Sequence, residues 1–133
     1  MIATFDDLRV FAENLYRGKF ERAGTGVFSL TEGPRRIFFL SIPGEPATAV
    51  VRAKILQLEE VSRPLDFAKA CLAGNFFWSG TNGATLSVSS DDCLYLTERR
   101  PLDELTSDEG LRSCVADVME TITEWQERSL LYA

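Results

Sequence analysis

The 133-residue sequence contains no histidine. This absence excludes Ser-His-Asp and Cys-His catalytic groups and most zinc hydrolase sites, because each of them depends on an imidazole. A cysteine nucleophile activated by lysine would still be possible in principle, but none of the lysines (Lys19, Lys54 and Lys69) lies in a recognisable motif. The sequence therefore predicts no catalytic residue, no metal and no cofactor, and it favours a protein that is not an enzyme.

Cysteines are also few. Cys71, Cys93 and Cys114 are an odd number at wide spacing, and no two of them form a CxxC pair. This pattern predicts buried, reduced thiols in a cytosolic protein. No apolar run approaches the roughly 18 residues of a membrane span. The start, MIATFDDLRVFAENL, has acids where a signal peptide has basic residues. We expect a cytoplasmic protein without membrane insertion.

Phosphate and calcium motifs are missing as well. The glycines in residues 22–27 match neither GxxxxGK[ST] nor GxGxxG, and they precede an expected strand rather than a helix. Residues 19–26 are therefore interpreted as a loop. The paired acids lie at expected turns or helix starts, where capping and turn chemistry explains them without catalysis; they are Asp6/Asp7, Asp91/Asp92 and Asp103/Glu104.

The charge balance argues against nucleic acid as a partner. The net charge is −6 and the pI about 4.7, whereas nucleic-acid affinity depends largely on Lys and Arg displacing counterions. Residues 1–65 carry nine basic and eight acidic side chains, and residues 66–133 carry five and twelve. This acidic excess is either a solvated face or a field that favours a basic partner.

Hydrophobic periodicity predicts one α+β domain over residues 1–133, with an antiparallel sheet flanked by helices. The helix–strand order is α-β-β-β-α-β-β-α. The predicted helices are Thr4–Arg17, Pro64–Ala73 and 107–130. The last helix has a Thr106/Glu109 capping box and a predicted buried stripe of Leu111, Val115, Val118, Ile122 and Trp125. The predicted strands are Val27–Thr31, Arg36–Ile42, Thr48–Leu58, Ala84–Ser89 and Cys93–Glu98, and the inward-pointing pairs of the last two are Leu86/Val88 and Leu94/Leu96.

Two apolar features exceed what one simple core needs. In the second strand, Phe38, Leu40 and Ile42 lie on one face while Ile37 and Phe39 lie on the other, which predicts a sheet covered on both sides. The run Phe76-Phe77-Trp78 places three rings in a row, and successive side chains of an extended segment point in opposite directions. At least one of these rings is expected outside the monomer core, either beneath a loop or at an interface.

The segment Pro64–Leu130 resembles the class I type III secretion chaperones, the family typified by the chaperone of the translocated intimin receptor. The resemblance lies in the runs LDFAKACLAGNFFWSGTNGATLSV and CLYLTERRPLDELTSDEG, and in the final ITEWQERSLL. Ala73, Asn75 and the aromatic run match one family pattern, and the Thr81–Leu86 strand start and Trp125 match others. Ser87 stands where the family often has glycine.

The resemblance implies a bacterial, cytoplasmic homodimer whose two-fold interface uses the second helix and the strand that follows it. The residues nominated for this dimer interface are Leu65, Ala68, Leu72, Phe76, Trp78, Leu86 and Val88.

It also implies that the dimer binds the N-terminal segment of a secreted effector in extended form, through apolar patches and strand addition. No ATP is used, and components of the secretion apparatus are a further partner class. The candidate effector-binding residues are Phe5, Leu8, Phe28, Phe38, Leu40 and Ile42, several of which must instead be core.

Two other interpretations stay open at this point. The chain could be a non-secretory binding or regulatory module that shares only the topology, and the neighbouring genes would separate that interpretation from a chaperone. An enzyme would require turnover that is abolished by a single polar substitution.

Overall fold

A computed structural model of the protein describes residues 4–76, 80–81 and 83–133. One helix precedes four consecutive strands, and a second helix, two further strands and two helices follow. The helices are α1 (Phe5–Leu15), α2 (Pro64–Gly74), α3 (Leu102–Leu105) and α4 (Asp108–Ser129), and 3-10 turns lie at Leu58–Glu60 and Leu130–Tyr132; the strands are β1 (Phe20–Gly24), β2 (Val27–Glu32), β3 (Arg35–Ile42), β4 (Glu45–Gln57), β5 (Thr85–Val88) and β6 (Cys93–Pro101).

The strands form one six-stranded sheet in the order β1-β2-β3-β4-β6-β5. The pairs β1/β2, β2/β3 and β5/β6 are antiparallel. The predicted α+β class, with an antiparallel sheet flanked by helices, is confirmed. The structure adds β1 and the short helix α3 to the predicted order.

Residues 19–26, predicted to be a loop, contain β1, so that prediction was wrong. Phe20 pairs with Leu30, and the strand turns back at residues 25–26 into β2. Gly26 adopts φ +71°, a left-handed conformation that glycine adopts without steric cost. Pairing with β2 outweighs the weak strand propensity of this glycine-containing, charged segment.

The start of α4 is also corrected. The hydroxyl of Ser107, not that of Thr106, accepts the amide hydrogen of Gly110 at 3.0 Å. Thr106 instead donates to the carbonyl of Asp103. The predicted buried stripe of this helix is confirmed, with Leu111, Val115, Val118, Ile122 and Trp125 all buried.

The chain forms two compact units. The first comprises residues 1–52 and 99–116, and the second comprises 53–98 and 117–133. The first unit contains ten basic (Lys or Arg) and ten acidic (Asp or Glu) residues, so its formal charge is zero. The second unit contains four basic and ten acidic residues, so it carries the whole net charge of −6. The acidic excess predicted for the second half therefore belongs to the second unit.

An aromatic stack forms the core of the first unit. The rings of Phe28 and Phe39 stack with centroids 5.0 Å apart, and Phe20 and Phe5 pack on Phe28 at 5.3 and 5.5 Å. Leu8 of α1 is fully buried in the same unit. The face of β2 and β3 that carries Phe28 and Phe39 is therefore the covered face.

Trp125 organises the core of the second unit. Its side chain is fully buried, and its Nε1–H donates to the carbonyl of Gly80 at 3.0 Å. The Phe67 ring lies 6.2 Å away, centroid to centroid. All three cysteines are buried, as predicted. Among the helices in the described part of the chain, none is long and apolar enough to cross a membrane.

Candidate partner-binding surfaces

Helix α2 has one buried and one exposed apolar side. Pro64 lies in its first turn, where the missing amide hydrogen costs nothing. Phe67 and Cys71, one turn apart, are buried, whereas Leu65 is 86% and Leu72 is 71% exposed. Phe76, just beyond the helix, is 70% exposed. Several large apolar side chains exposed along one helix are typical of an interaction site rather than of a solvated helix.

A groove of about 260 Å³ lies beside this surface, between α2 and the strands β5 and β6. Its lining is almost entirely apolar and includes Leu58, Ala68, Leu72, Leu86, Val88 and Leu94. Val88 is 46% exposed at the rim, although the sequence pattern predicted it to point inward with Leu86. Leu86 itself is buried, so it forms part of the groove floor.

Cys71 also lines the groove. Burial raises the pKa of its thiol to about 11, and the nearby Arg128 only partly opposes this effect. The thiol is therefore protonated at neutral pH, where a protonated, buried cysteine behaves as a small apolar side chain. The groove is accordingly suited to apolar side chains rather than to thiolate chemistry.

Asn75 fixes the strand edge next to this groove. Its Nδ2 donates to the carbonyl of Leu86 at 2.9 Å, and its Oδ1 accepts the Leu86 amide hydrogen at 2.8 Å. The side-chain amide thus pairs with β5 as a neighbouring strand residue would. The outer edge of β5 is satisfied at Leu86 and tied to the end of α2.

Replacing Asn75 with aspartate should lower the free energy of unfolding by about 2 kcal/mol. A carboxylate accepts the Leu86 amide hydrogen but cannot donate to the Leu86 carbonyl, and it places a negative charge at the C-terminal end of α2. Urea denaturation measures the loss. Asn75→Ala serves as the matched control. It removes both hydrogen bonds but places no negative charge beside the Leu86 carbonyl or the end of α2, so it should be destabilised less than the aspartate variant. An aspartate variant as stable as the wild type would contradict the role given to this amide.

The second candidate surface is the outer face of the sheet in the first unit. Phe38, Leu40 and Ile42 alternate along β3 and are half-buried, while Ile37 and Phe39 point to the covered face. Val27 of β2 pairs with Leu40 of β3, so Val27 lies on the same face and extends the apolar row. We call Val27, Phe38, Leu40 and Ile42 the open sheet face.

Two arginines flank one end of the open sheet face. The Cζ atoms of Arg36 and Arg52 lie 5.1 and 5.8 Å from the centroid of the Phe38 ring, within cation–π range. Arg36 Nε donates to the hydroxyl of Ser29 at 3.0 Å, and its Nη2 lies 2.9 Å from Glu21 Oε2. These contacts hold the Arg36 guanidinium beside the ring.

A family model, the Tir chaperone protein (CesT) family, matches residues 8–126. The chain belongs to this family. Tir chaperone family membership thus covers both compact units and confirms the resemblance found in the sequence. None of the curated protein sequences matches significantly.

The chain shares its fold with several solved structures. The chain resembles one in the ExsC–ExsE complex with a TM-score of 0.72 and 13% identity, covering 92% of this chain and 90% of that one. A chain of the HopA1–SchA chaperone–effector complex matches with a TM-score of 0.67 and 14% identity, covering 92% of this chain and 91% of that one. A chain of the complex between the Yersinia pestis type III secretion chaperone SycH and a fragment of YscM2 matches with a TM-score of 0.57 and 17% identity, covering 98% of this chain and 100% of that one.

Of the residues predicted for the dimer interface of this Tir chaperone family member, those that the structure describes lie on α2, directly after α2, and on β5. Leu65, Leu72, Phe76 and Val88 are exposed. Ala68 is half-buried, and Leu86 is buried in the groove that Leu72 and Val88 also line. Trp78 lies outside the described residues. The four exposed side chains remain candidates for direct contact, and Leu86 is revised to a supporting position on the groove floor.

The predicted effector-binding residues separate onto two faces. Phe38, Leu40 and Ile42 lie together on the open sheet face. Leu8 and Phe28 have no exposed surface and Phe5 packs on Phe28, so these three belong to the covered side. We therefore remove Leu8 and Phe28 from the contact list, because a side chain without accessible surface cannot touch a partner unless the core opens.

Sequence reasoning missed the two arginines beside Phe38 and the hydrogen-bonding role of Asn75. Arg36 and Phe38 are two residues apart on β3 and therefore lie on the same face, so the sequence pattern could have predicted their proximity. Arg52 is fourteen residues beyond Phe38 in the printed sequence, and only strand pairing brings it near the ring.

Proposed function

We propose that this member of the Tir chaperone family is a bacterial cytoplasmic homodimer that binds the N-terminal segment of one or more type III secreted effectors. It keeps that segment soluble and export-competent without ATP. The observation that carries the proposal is the family match over residues 8–126. The fold shared with the HopA1–SchA chaperone–effector complex supports it.

The α2 surface is our proposed dimer interface. Leu65, Leu72 and Phe76 are exposed beside an apolar groove that includes Leu86 and Val88. A two-fold axis would present the same apolar surface from both protomers, as an isologous interface requires. Burying these side chains removes a large apolar area from water and supplies the main driving force.

The open sheet face and the edge strand β1 are our proposed cargo surface. The open sheet face offers Phe38, Leu40 and Ile42 to apolar side chains of an extended segment. β1 is an outer strand of the sheet, whereas the other outer strand, β5, is engaged at Leu86 by Asn75. We therefore propose β1 as the edge for strand addition, which supplies backbone hydrogen bonds for any cargo sequence.

Binding of this kind needs no nucleotide. Backbone pairing and apolar burial offset the entropy lost when the cargo segment becomes ordered.

We also propose that residues 1–133 act as a single domain, since β4, β6 and α4 each contain residues of both compact units. Contact with components of the secretion apparatus stays a prediction of the family resemblance.

Light scattering of the protein, alone and co-expressed with the product of the adjacent gene, tests this function. We expect a dimer of about twice the 14.9 kDa chain mass, which gains one cargo segment per dimer. A Leu40→Asp variant should keep the dimer and lose the cargo, because Leu40 lies on the open sheet face and not at α2. A monomer that captures no partner would contradict the proposal.

A further inference from the structure

We infer that the open sheet face selects cargo segments in which an acidic residue lies two positions from an apolar one, and that Arg36 and Arg52 bind the acidic side chain. The inference rests on the proposed function and specifies the chemistry of the segment. The residues that carry it are Phe38, the two arginines, Ser29 and Glu21, which we call the arginine site.

The arginine site is built on neighbouring strands of one sheet face. Glu21 pairs with Ser29, and Ser29 pairs with Phe38, so these residues form one row across β1, β2 and β3. Arg36 lies two residues from Phe38 on the same strand, and side chains two apart share a face. Arg52 approaches the same ring from β4.

The Arg36 guanidinium is held in place before any partner arrives. Its Nε donates to Ser29, which has no exposed surface, and its Nη2 pairs with Glu21. A guanidinium has five N–H donors, and these two contacts use only some of them. The Arg36 side chain is still 46% exposed. A carboxylate from outside can therefore accept further hydrogen bonds without a rearrangement of the site.

Charge complementarity favours an acidic partner here. The site holds two guanidinium groups within 6 Å of one ring centroid, and Glu21 is the carboxylate seen to pair with Arg36. Arginine binds carboxylates in a planar, two-point geometry that a lysine or a neutral side chain does not reproduce. A basic residue at the same place in a cargo segment would be repelled.

The spacing follows from the strand geometry. Phe38, Leu40 and Ile42 repeat every second residue, about 7 Å apart. An extended segment lying along this row has the same repeat. When its apolar side chains cover Leu40 and Ile42, the side chain two positions further on reaches Phe38 and the arginines. The pattern apolar–x–acidic, in either chain direction, therefore fits the face.

Glu21 is a built-in competitor for the same guanidinium. Its carboxylate occupies Arg36 Nη2 and repels an incoming acid. Glu21→Gln should therefore strengthen the binding of an acidic peptide, by roughly three- to tenfold if the repulsion is that of a partly screened pair. A structural role for Glu21 alone would not raise affinity.

The test uses a displayed library of random 12-residue peptides selected on the immobilised wild-type protein and on three variants. The first variant is Arg36→Gln/Arg52→Gln. The second is Arg17→Gln/Arg112→Gln, which makes the same change in net charge at exposed arginines that lie outside both the arginine site and the edge strand β1. The third is Glu21→Gln. A selected acidic peptide and its copy with asparagine for aspartate are then compared by titration.

We expect the wild type and the Arg17/Arg112 variant to enrich peptides with Asp or Glu two positions from Leu, Ile, Val or Phe. The Arg36/Arg52 variant should enrich the apolar residues alone. The wild type should bind the acidic peptide about tenfold more tightly than the asparagine copy, and this difference should shrink with added salt.

Each other outcome is decisive. Enrichment of apolar peptides without acids, or acidic enrichment that survives in the Arg36/Arg52 variant, overturns the inference and leaves the proposed function standing. A protein that enriches no peptide and also captures no product of the adjacent gene contradicts the proposed function itself. Weaker acidic-peptide binding by Glu21→Gln would remove Glu21 as a competitor and overturn the arrangement proposed for the site.

Discussion

Replacing Leu72 with lysine should convert the proposed dimer into a monomer of 14.9 kDa. Leu72 lies at the rim of the α2 groove and is 71% exposed in the protomer. If α2 forms the two-fold interface, that interface contains the substitution twice, once from each protomer. Each copy loses roughly 2 kcal/mol of apolar burial and places an unpaired ammonium in an apolar contact. We expect the dissociation constant to rise by at least about a thousandfold.

Lysine is chosen so that general charge repulsion cannot explain the result. The unit that contains α2 carries the whole charge of −6, and an added cation reduces that charge. An aspartate would increase it and could drive two protomers apart from a distance.

Leu130→Lys is the matched control. Leu130 belongs to the same unit, is 73% exposed, and lies outside the groove. Analytical ultracentrifugation of both variants and the wild type gives the masses, and circular dichroism verifies that each variant is folded. A dimeric Leu72→Lys, or dissociation by Leu130→Lys as well, would contradict the interface at α2.

Periodicity predicted the elements whose burial is regular. The buried stripe from Leu111 to Trp125 and the alternation from Ile37 to Ile42 were both readable, because each follows the repeat of its own element. β1 was not readable. Its single large apolar residue, Phe20, is half-buried, where it packs on Phe28 and pairs with Leu30. A strand that depends on a partner in this way leaves little pattern of its own.

The two faces of the sheet show a different limit. Alternation separates Phe38 from Phe39, but it does not say which of them α1 covers. That choice is made by tertiary packing, in which Phe5 contacts Phe28 and leaves Phe38 on the other face. For this reason the predicted effector-binding list mixed core residues such as Leu8 with residues of the open sheet face.

Gly74→Ala should destabilise the protein, although alanine normally favours a helix by about 1 kcal/mol over glycine. Gly74 is the last residue of α2. A Cβ there would lie 2.5 Å from Cζ2 and 2.7 Å from Cη2 of Trp125. The indole cannot move away freely, because it is fully buried and its Nε1–H is bonded to Gly80. We expect a net loss of about 1–3 kcal/mol in the free energy of unfolding.

The same substitution should become neutral or stabilising once Trp125 is replaced by phenylalanine. The smaller ring removes the atoms that the new Cβ meets, so only the helix preference of alanine remains. Trp125→Phe alone should cost about 2 kcal/mol or more, since it loses buried volume and the bond to Gly80. Urea denaturation of the wild type, both single variants and the double variant, at one protein concentration, gives the coupling between the two sites. We expect about 2 kcal/mol of favourable coupling. Additive effects would mean that the indole is not what excludes a side chain at position 74, and that this glycine is required for another reason.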